Sequence, residues 1–376
     1  MAGRLDDVSS IKALKKILFI TSHRPNRAPG QRFRFEQFYE YLEKNGFQCV
    51  HSNIISDKDD VYLYTKGKYL QKFFILAKAI LKRLKDVSRA NDFDIIFIHR
   101  DALLLGSTYF EKRFRKSKAK LVYDFDDSIW LGDTSDANKK LRWLKYPGKI
   151  AKIISISDMV FAGNKYLANY ASYYNSNIKI VPTTIDTEEY KRYPSSRRTD
   201  GKIAIGWTGS ITTIKHFEFA IPILTKLKEK YGDKLVIKVI GDKNYVHKDL
   251  DIKGQGWSKE NEISELSSFD IGIMPLPDDE WTKGKCGLKG LQYMALGIPA
   301  IMSPVGVNTE IIKDGVNGFL ADKEAEWVEK ISFLIDHEKE RNQMGDEARK
   351  TILEHYSKDS EKGNYLKYFN ELAGVK

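Results

Sequence analysis

Three observations predict an α/β chain built as two Rossmann-like domains, each a doubly wound parallel sheet, facing a central cleft. Short runs rich in β-branched and aromatic residues alternate with helix-length segments along all 376 residues. The alternation occurs twice, with six runs in each half, and a polar, charged segment separates the halves. A chain of this length also exceeds one ordinary hydrophobic core and divides naturally into two.

In the first half the expected strands cover 16–22, 47–53, 94–99, 120–124, 158–163 and 177–181. Between the first two, Phe35, Phe38, Tyr39 and Leu42 repeat at helical spacing, and Gly46 stands where a helix would end. Residues 183–201, with TEEYKRYPSSRRTDG, read as a linker, so residues 1–182 form one domain. The second half repeats the rhythm at 202–208, 234–240, 252–256, 269–274, 299–303 and 317–321. Parallel sheets bind ligands at the carboxyl ends of their strands, which places the site in the cleft between them.

Composition narrows the partners. Hydrophobic residues make up 42% and charged residues 30%, as in an ordered globular chain. Cys49 and Cys286 are the only cysteines and have no metal-ligand spacing, which suits a reducing compartment. No apolar run approaches the roughly 18 residues of a membrane span, and MAGRLDDVSS lacks a signal peptide's apolar core, so a cytoplasmic protein is expected. The net charge of +11 favours anionic partners, but no nucleic-acid motif is present. One segment, 66–89, breaks the alternation: Leu70, Phe73, Phe74, Ala77, Ile80, Leu81 and Leu84 form a helical stripe beside a basic face. It reads either as a helix packed on the first domain with its lysines in solvent, or as a contact for an anionic membrane surface on the inner face of the cell membrane.

The chemistry concentrates in residues 267–320. A buried strand at 269–274 is followed by the loop PLPDDEWTKGKCG and a short helix from Leu288, closed by Gly297 and Pro299. The loop brings Gly287, Leu288 and Lys289 to a helix N-terminus, where free amides and the helix dipole favour phosphate. Lys285 and Lys289 flank the spot. The motifs FDIGIMPL, KCGLKGLQYMALGIPAI, SPVGVNTEII and DGVNGFL, in that order, resemble the donor-binding domain of family 4 glycosyltransferases, enzymes of the GT-B fold, over about 201–336.

The resemblance implies a glycosyltransferase that moves a sugar from a nucleotide-diphosphate donor, UDP-linked in preference to GDP-linked, to a hydroxyl of a saccharide or lipid-linked glycan in surface polysaccharide or lipopolysaccharide synthesis. It also implies retention of configuration and no separately bound metal or cofactor. Residues 202–355 then bind the donor, and 356–376 cross back to the first domain through Tyr365, Tyr368, Phe369 and Leu372. The family holds its donor with two glutamates; here Gly284 and Gln292 stand at those positions, so Gln292 is expected on the ribose and Lys289 on the diphosphate. IAIGWTGSITTIKHFE is similar to the family's phosphate-side loop, with Gly209, Ser210 and Lys215 as donors.

On the acceptor side, TSHRPNRAPGQRFRFEQF carries Arg32 and Arg34 and IFIHRD carries His99, all three expected to bind acceptor. KLVYDFDDSIWLGD brings Asp124, Asp126 and Asp127 to a strand end, with Asp127 and then Asp126 as the catalytic candidates. A divalent ion on that triplet is the lesser reading. Asn164 and Asp186 read as structural. Two other functions compete: a nucleotide-sugar epimerase, against which the vacant Gly284 argues, and a noncatalytic basic protein that sits on membranes.

Overall fold

The structure is a computed structural model that describes residues 14–132, 146, 148–192 and 201–375. Its first half is a wholly parallel sheet of β1 (Lys15–His23), β2 (Phe47–Ile55), β3 (Ile95–His99), β4 (Lys120–Phe125), β5 (Met159–Ala162) and β6 (Ile178–Ile180). Their spatial order is β2-β1-β3-β4-β5-β6. Ile17, Leu18, Phe19 and Ile20 are all fully buried, because helices cover both faces of a parallel sheet. All six expected runs of this half are strands.

The second half contains β7 (Ile203–Thr208), β8 (Leu235–Ile240), β9 (Val246–His247), β10 (Ile252–Lys253), β11 (Ile271–Met274), β12 (Ala300–Met302) and β13 (Gly318–Leu320). Five of them make a parallel sheet in the order β13-β12-β11-β7-β8, while β9 and β10 pair antiparallel as a small separate hairpin. The strand expected at 252–256 therefore does not join the sheet; only Gln255 touches it, through a bridge to Ile240. Ile252 is the one apolar side chain this segment buries, and its two glycines add nothing to pack. In each sheet the strand order reverses once, between β1 and β3 and between β7 and β11, and those two crevices hold the residues discussed below.

Of the expected linker, residues 193–200 lie outside the described residues. The part that is described runs beside the chain's return path: the Ile185 N–H donates to the Tyr356 carbonyl at 2.8 Å, and the Lys358 N–H donates to the Ile185 carbonyl at 2.8 Å. A π-helical turn at Ile352–Tyr356 leads into the last helix, Lys358–Ala373, which Ser357 caps by accepting from the Ser360 N–H. Tyr365 and Phe369 of that helix are fully buried against Phe38, Phe97 and Phe161 of the first half. The Tyr365 hydroxyl donates to the Arg34 carbonyl at 2.5 Å.

The segment expected as a helix over 66–89 is helical from Tyr69 to Ser88, but inside out. Most of its stripe does not pack on the domain: Leu70, Phe73, Phe74 and Leu81 are 66%, 63%, 57% and 67% exposed, while Ile80 is half-buried against the first core. The inward face carries Lys72, Ile75, Ala79, Arg83 and Asp86. Arg83 dictates this orientation. Its guanidinium, fully buried, donates to the carbonyls of Thr21 (2.6 Å), Ala102 (2.6 Å) and Ser52 (3.1 Å) and to Asp86 (2.9 Å), so it ties the helix to strand ends and their loops.

Candidate active site

On the donor side, β7 runs into Gly209 and Ser210 and then a turn ending in Lys215 and His216. A Cβ on Gly209 would lie 2.2 Å from the Trp207 ring, so only glycine fits there. The Ser210 hydroxyl is engaged with those of Thr212 and Thr213, which shapes the turn. Lys215 is exposed and His216 buried. Beyond β11, Asp279 caps the short helix Glu280–Lys283, and Gly287, at φ +71°, opens the helix Leu288–Ala295. No side chain caps the first amides of that second helix. The Lys289 ammonium lies 5.5 Å from the Trp207 ring centroid.

These groups share one electrostatic field. Burial and then the neighbouring Lys285 push the Lys289 ammonium down to about 8. Burial, then Lys289, Lys285 and Lys215, lower His216 to about 4. Three lysines and a histidine gathered around a helix N-terminus are an arrangement suited to a multiply charged anion. Lys215, Lys285, Gly287, Leu288 and Lys289 are thus brought together as the sequence suggested. His216 and Trp207 complete the set, and spacing alone did not single them out.

Facing them, every aspartate of the DFDD run is paired with a cation, and Arg100 serves two of them. Arg100, in a left-handed backbone conformation (φ +61°), donates from Nε to Asp126 and from Nη2 to Asp127, each at 2.6 Å. Burial alone would raise the Asp126 carboxyl, but Arg100 and His99 hold it well below the usual carboxylate range. Asp127 also accepts from Lys285 of the other half at 3.0 Å. Asp124 accepts from Arg34 and, at 2.7 Å, faces the His99 ring. Among the described residues, no group of three His, Cys, Asp or Glu side chains is placed to hold a metal ion.

The three residues expected at the acceptor occupy other positions. Arg34 is fully buried beneath the first sheet's strand ends, bonded to Asp124 and to the Val181 carbonyl (2.9 Å). His99 is buried against Phe35. Arg32 is buried in an ion pair with Glu262 of the other half at 2.8 Å. A loop dense in arginine looks solvent-facing in sequence, but the carboxylates that draw these side chains inward lie 90 and 230 positions away. Gln292 belongs to the same buried cluster, its amide donating to the Tyr190 hydroxyl at 2.8 Å and to Glu262 at 3.1 Å. Glu262 thereby puts a carboxylate beside the position where the family has its second glutamate.

Gly284 has a direct explanation. A Cβ there would lie 2.1 Å from the Ser128 hydroxyl and 2.7 Å from its amide nitrogen. The Ser128 hydroxyl itself donates to the Glu280 carbonyl at 2.9 Å. Asn164 reaches the same loop, donating to the carbonyls of Gly284 (3.2 Å) and Lys285 (2.9 Å) while its oxygen caps the helix Lys165–Ser172. Asn164 is therefore structural across the cleft, not only within its own half.

Comparison with known proteins agrees with this fold. Residues 202–337 match the family model described as glycosyl transferases group 1. An uncharacterised glycosyltransferase of Methanocaldococcus jannaschii is 25% identical over 306 residues, covering 75% of this chain and 76% of that protein. N-acetyl-alpha-D-glucosaminyl L-malate synthase of Bacillus anthracis is 24% identical over 303 residues, 74% of each. Among solved structures, sucrose-phosphate synthase from Thermosynechococcus elongatus superimposes with a TM-score of 0.73 at 12% identity, covering 96% of this chain and all of that one. Anabaena HepE in complex with UDP-glucose gives 0.67 at 13% identity, covering 95% and 99%. Residues 202–337 are thus a group 1 glycosyl transferase domain, and the chain around it has the two-domain GT-B fold and is similar along most of its length to glycosyltransferases of the family 4 type.

Proposed function

We propose that the protein transfers a hexosyl group from a nucleotide-diphosphate sugar, UDP-linked in preference to GDP-linked, to a hydroxyl of a saccharide or lipid-linked glycan, with retention and without a resident metal, in the building of a surface polysaccharide. The observation that carries this reading is the cluster of Lys215, His216, Lys285 and Lys289 around the uncapped N-terminus at Gly287. Such a cluster stabilises negative charge as it develops on a leaving diphosphate, where preorganised donors contribute most. The UDP-glucose complex of a protein with the same fold supports the choice of base.

In this scheme Lys289 and the amides of Gly287 and Leu288 hold the diphosphate, with Lys215, Gly209 and Ser210 closing the phosphate side. Asp127 acts through Lys285, which it holds across the cleft, and Arg100 orients both Asp126 and Asp127. Gln292 and Glu262 together form the ribose side.

Thermal unfolding with UDP, GDP and ADP sugars tests the reading. UDP compounds raise Tm the most, Lys289→Ala abolishes that protection, and Asp127→Ala keeps it while losing transfer. Absence of stabilisation by every nucleotide would sink the donor site.

A further inference from the structure

The exposed face of the helix Tyr69–Ser88 is not covered by any other part of the described chain, and it continues onto the preceding helix, Asp57–Leu63. Val61, Tyr62, Tyr64, Tyr69, Leu70, Phe73, Phe74, Leu81 and Leu84 are all exposed. At about 100° per residue, Leu70, Phe73, Phe74, Leu81 and Leu84 share one outward arc, and Lys78, Lys82 and Lys85 line one flank of it. Lys66 and Lys68 stand at its start. Within 66–88 the single acidic residue is Asp86, and it points inward to Arg83.

From this face we infer that the helices Asp57–Leu63 and Tyr69–Ser88 dock the protein on an anionic lipid surface, with their aromatic and aliphatic side chains in the interfacial layer and the lysines on the headgroups. A water-soluble surface does not otherwise keep this many large apolar side chains in one patch. Charge decides the occupant. A second copy of the chain, related by a twofold axis, would bring the same lysines face to face, whereas anionic headgroups complement them. Tyrosine and phenylalanine beside lysine is also the composition that suits a bilayer interface.

The patch leads to the cleft. Tyr64 stacks on His23, which ends β1, with its hydroxyl 3.2 Å from the ring nitrogen Nε2. Asp60 accepts from Arg24 (2.5 Å) and Arg27 (2.8 Å), tying the helix Asp57–Leu63 to the loop that follows β1. Docking therefore sets the mouth of the acceptor side beside the bilayer. Resting on the proposed transfer, this favours acceptors carried on lipid anchors over freely diffusing ones.

The test is co-sedimentation of the full chain with vesicles of phosphatidylglycerol or of phosphatidylcholine. The protein pellets with phosphatidylglycerol, less so as salt rises, and stays in solution with phosphatidylcholine. Lys82→Gln with Lys85→Gln weakens binding by about fivefold per lysine. Phe73→Ser with Phe74→Ser abolishes it, and UDP still protects both variants from unfolding because these positions are remote from the donor cluster. Failure of the parent protein to bind phosphatidylglycerol, or unchanged binding by the variants, overturns the inference. So does a dimer that the Phe73→Ser/Phe74→Ser protein loses on gel filtration. Vesicle binding without nucleotide protection would instead count against the proposed transferase reading alone.

Discussion

Lys289 ties protonation to substrate binding. Its depressed ammonium titrates near 8 in the free protein, with burial and Lys285 as the causes. Only the cation attracts a diphosphate, and bound diphosphate raises the ammonium's affinity for its proton, so binding takes up a proton above about 8. The affinity for UDP is expected to be full at pH 7 and to fall as pH rises through 8 to 9. Isothermal titration across that range checks this, and Lys289→Arg should flatten the profile because guanidinium does not titrate there. The sequence placed Lys289 at a helix N-terminus correctly. It gave no hint of His216, whose burial comes from packing between elements, or of Arg100, the middle residue of HRD, whose two carboxylate partners lie 26 and 27 positions further on.

Helix Tyr69–Ser88 shows where periodicity misleads. A stripe at helical spacing locates a helix, and it did; it does not say which side faces the protein when a buried arginine fixes the other. Consequently Phe73→Ser or Leu81→Ser should change the free energy of unfolding in urea by no more than about 0.5 kcal/mol. Arg83→Ala, which leaves the carbonyls of Thr21, Ser52 and Ala102 without their donor and takes one cation from Asp86, should cost about 3 to 5 kcal/mol. The opposite ranking would mean that the stripe is packed inward. The strands were easier to read, since a two-sided parallel strand must be apolar throughout, as 17–20 and 95–98 are. Arg32, Arg34 and Gln292 were harder, because a local pattern carries no trace of a carboxylate contributed by a distant element.

Across the whole molecule, the contacts that join the halves include Arg32 with Glu262, Lys285 with Asp127, Ser128 with the Glu280 carbonyl, Cys286 with the Asp126 carbonyl, and Asn164 with the loop at Gly284 and Lys285. Gly284 sits beside Ser128 and beneath the Asn164 amide. Gly284→Glu restores the family's residue yet should act as a wedge, since even its Cβ overlaps Ser128. A loss of about 1 to 3 kcal/mol in unfolding free energy is expected, together with a larger radius of gyration in solution scattering; an unchanged radius would show that the loop accommodates the side chain.

The chain passes between its halves twice, and at Ile185, Tyr356 and Lys358 the two passages are hydrogen-bonded to each other. Separate tethers would let one half tumble against the other in several directions. Stitched together, they form a single hinge, so a cleft that opened would turn about that one place, and each closing would bring Lys285 back to Asp127.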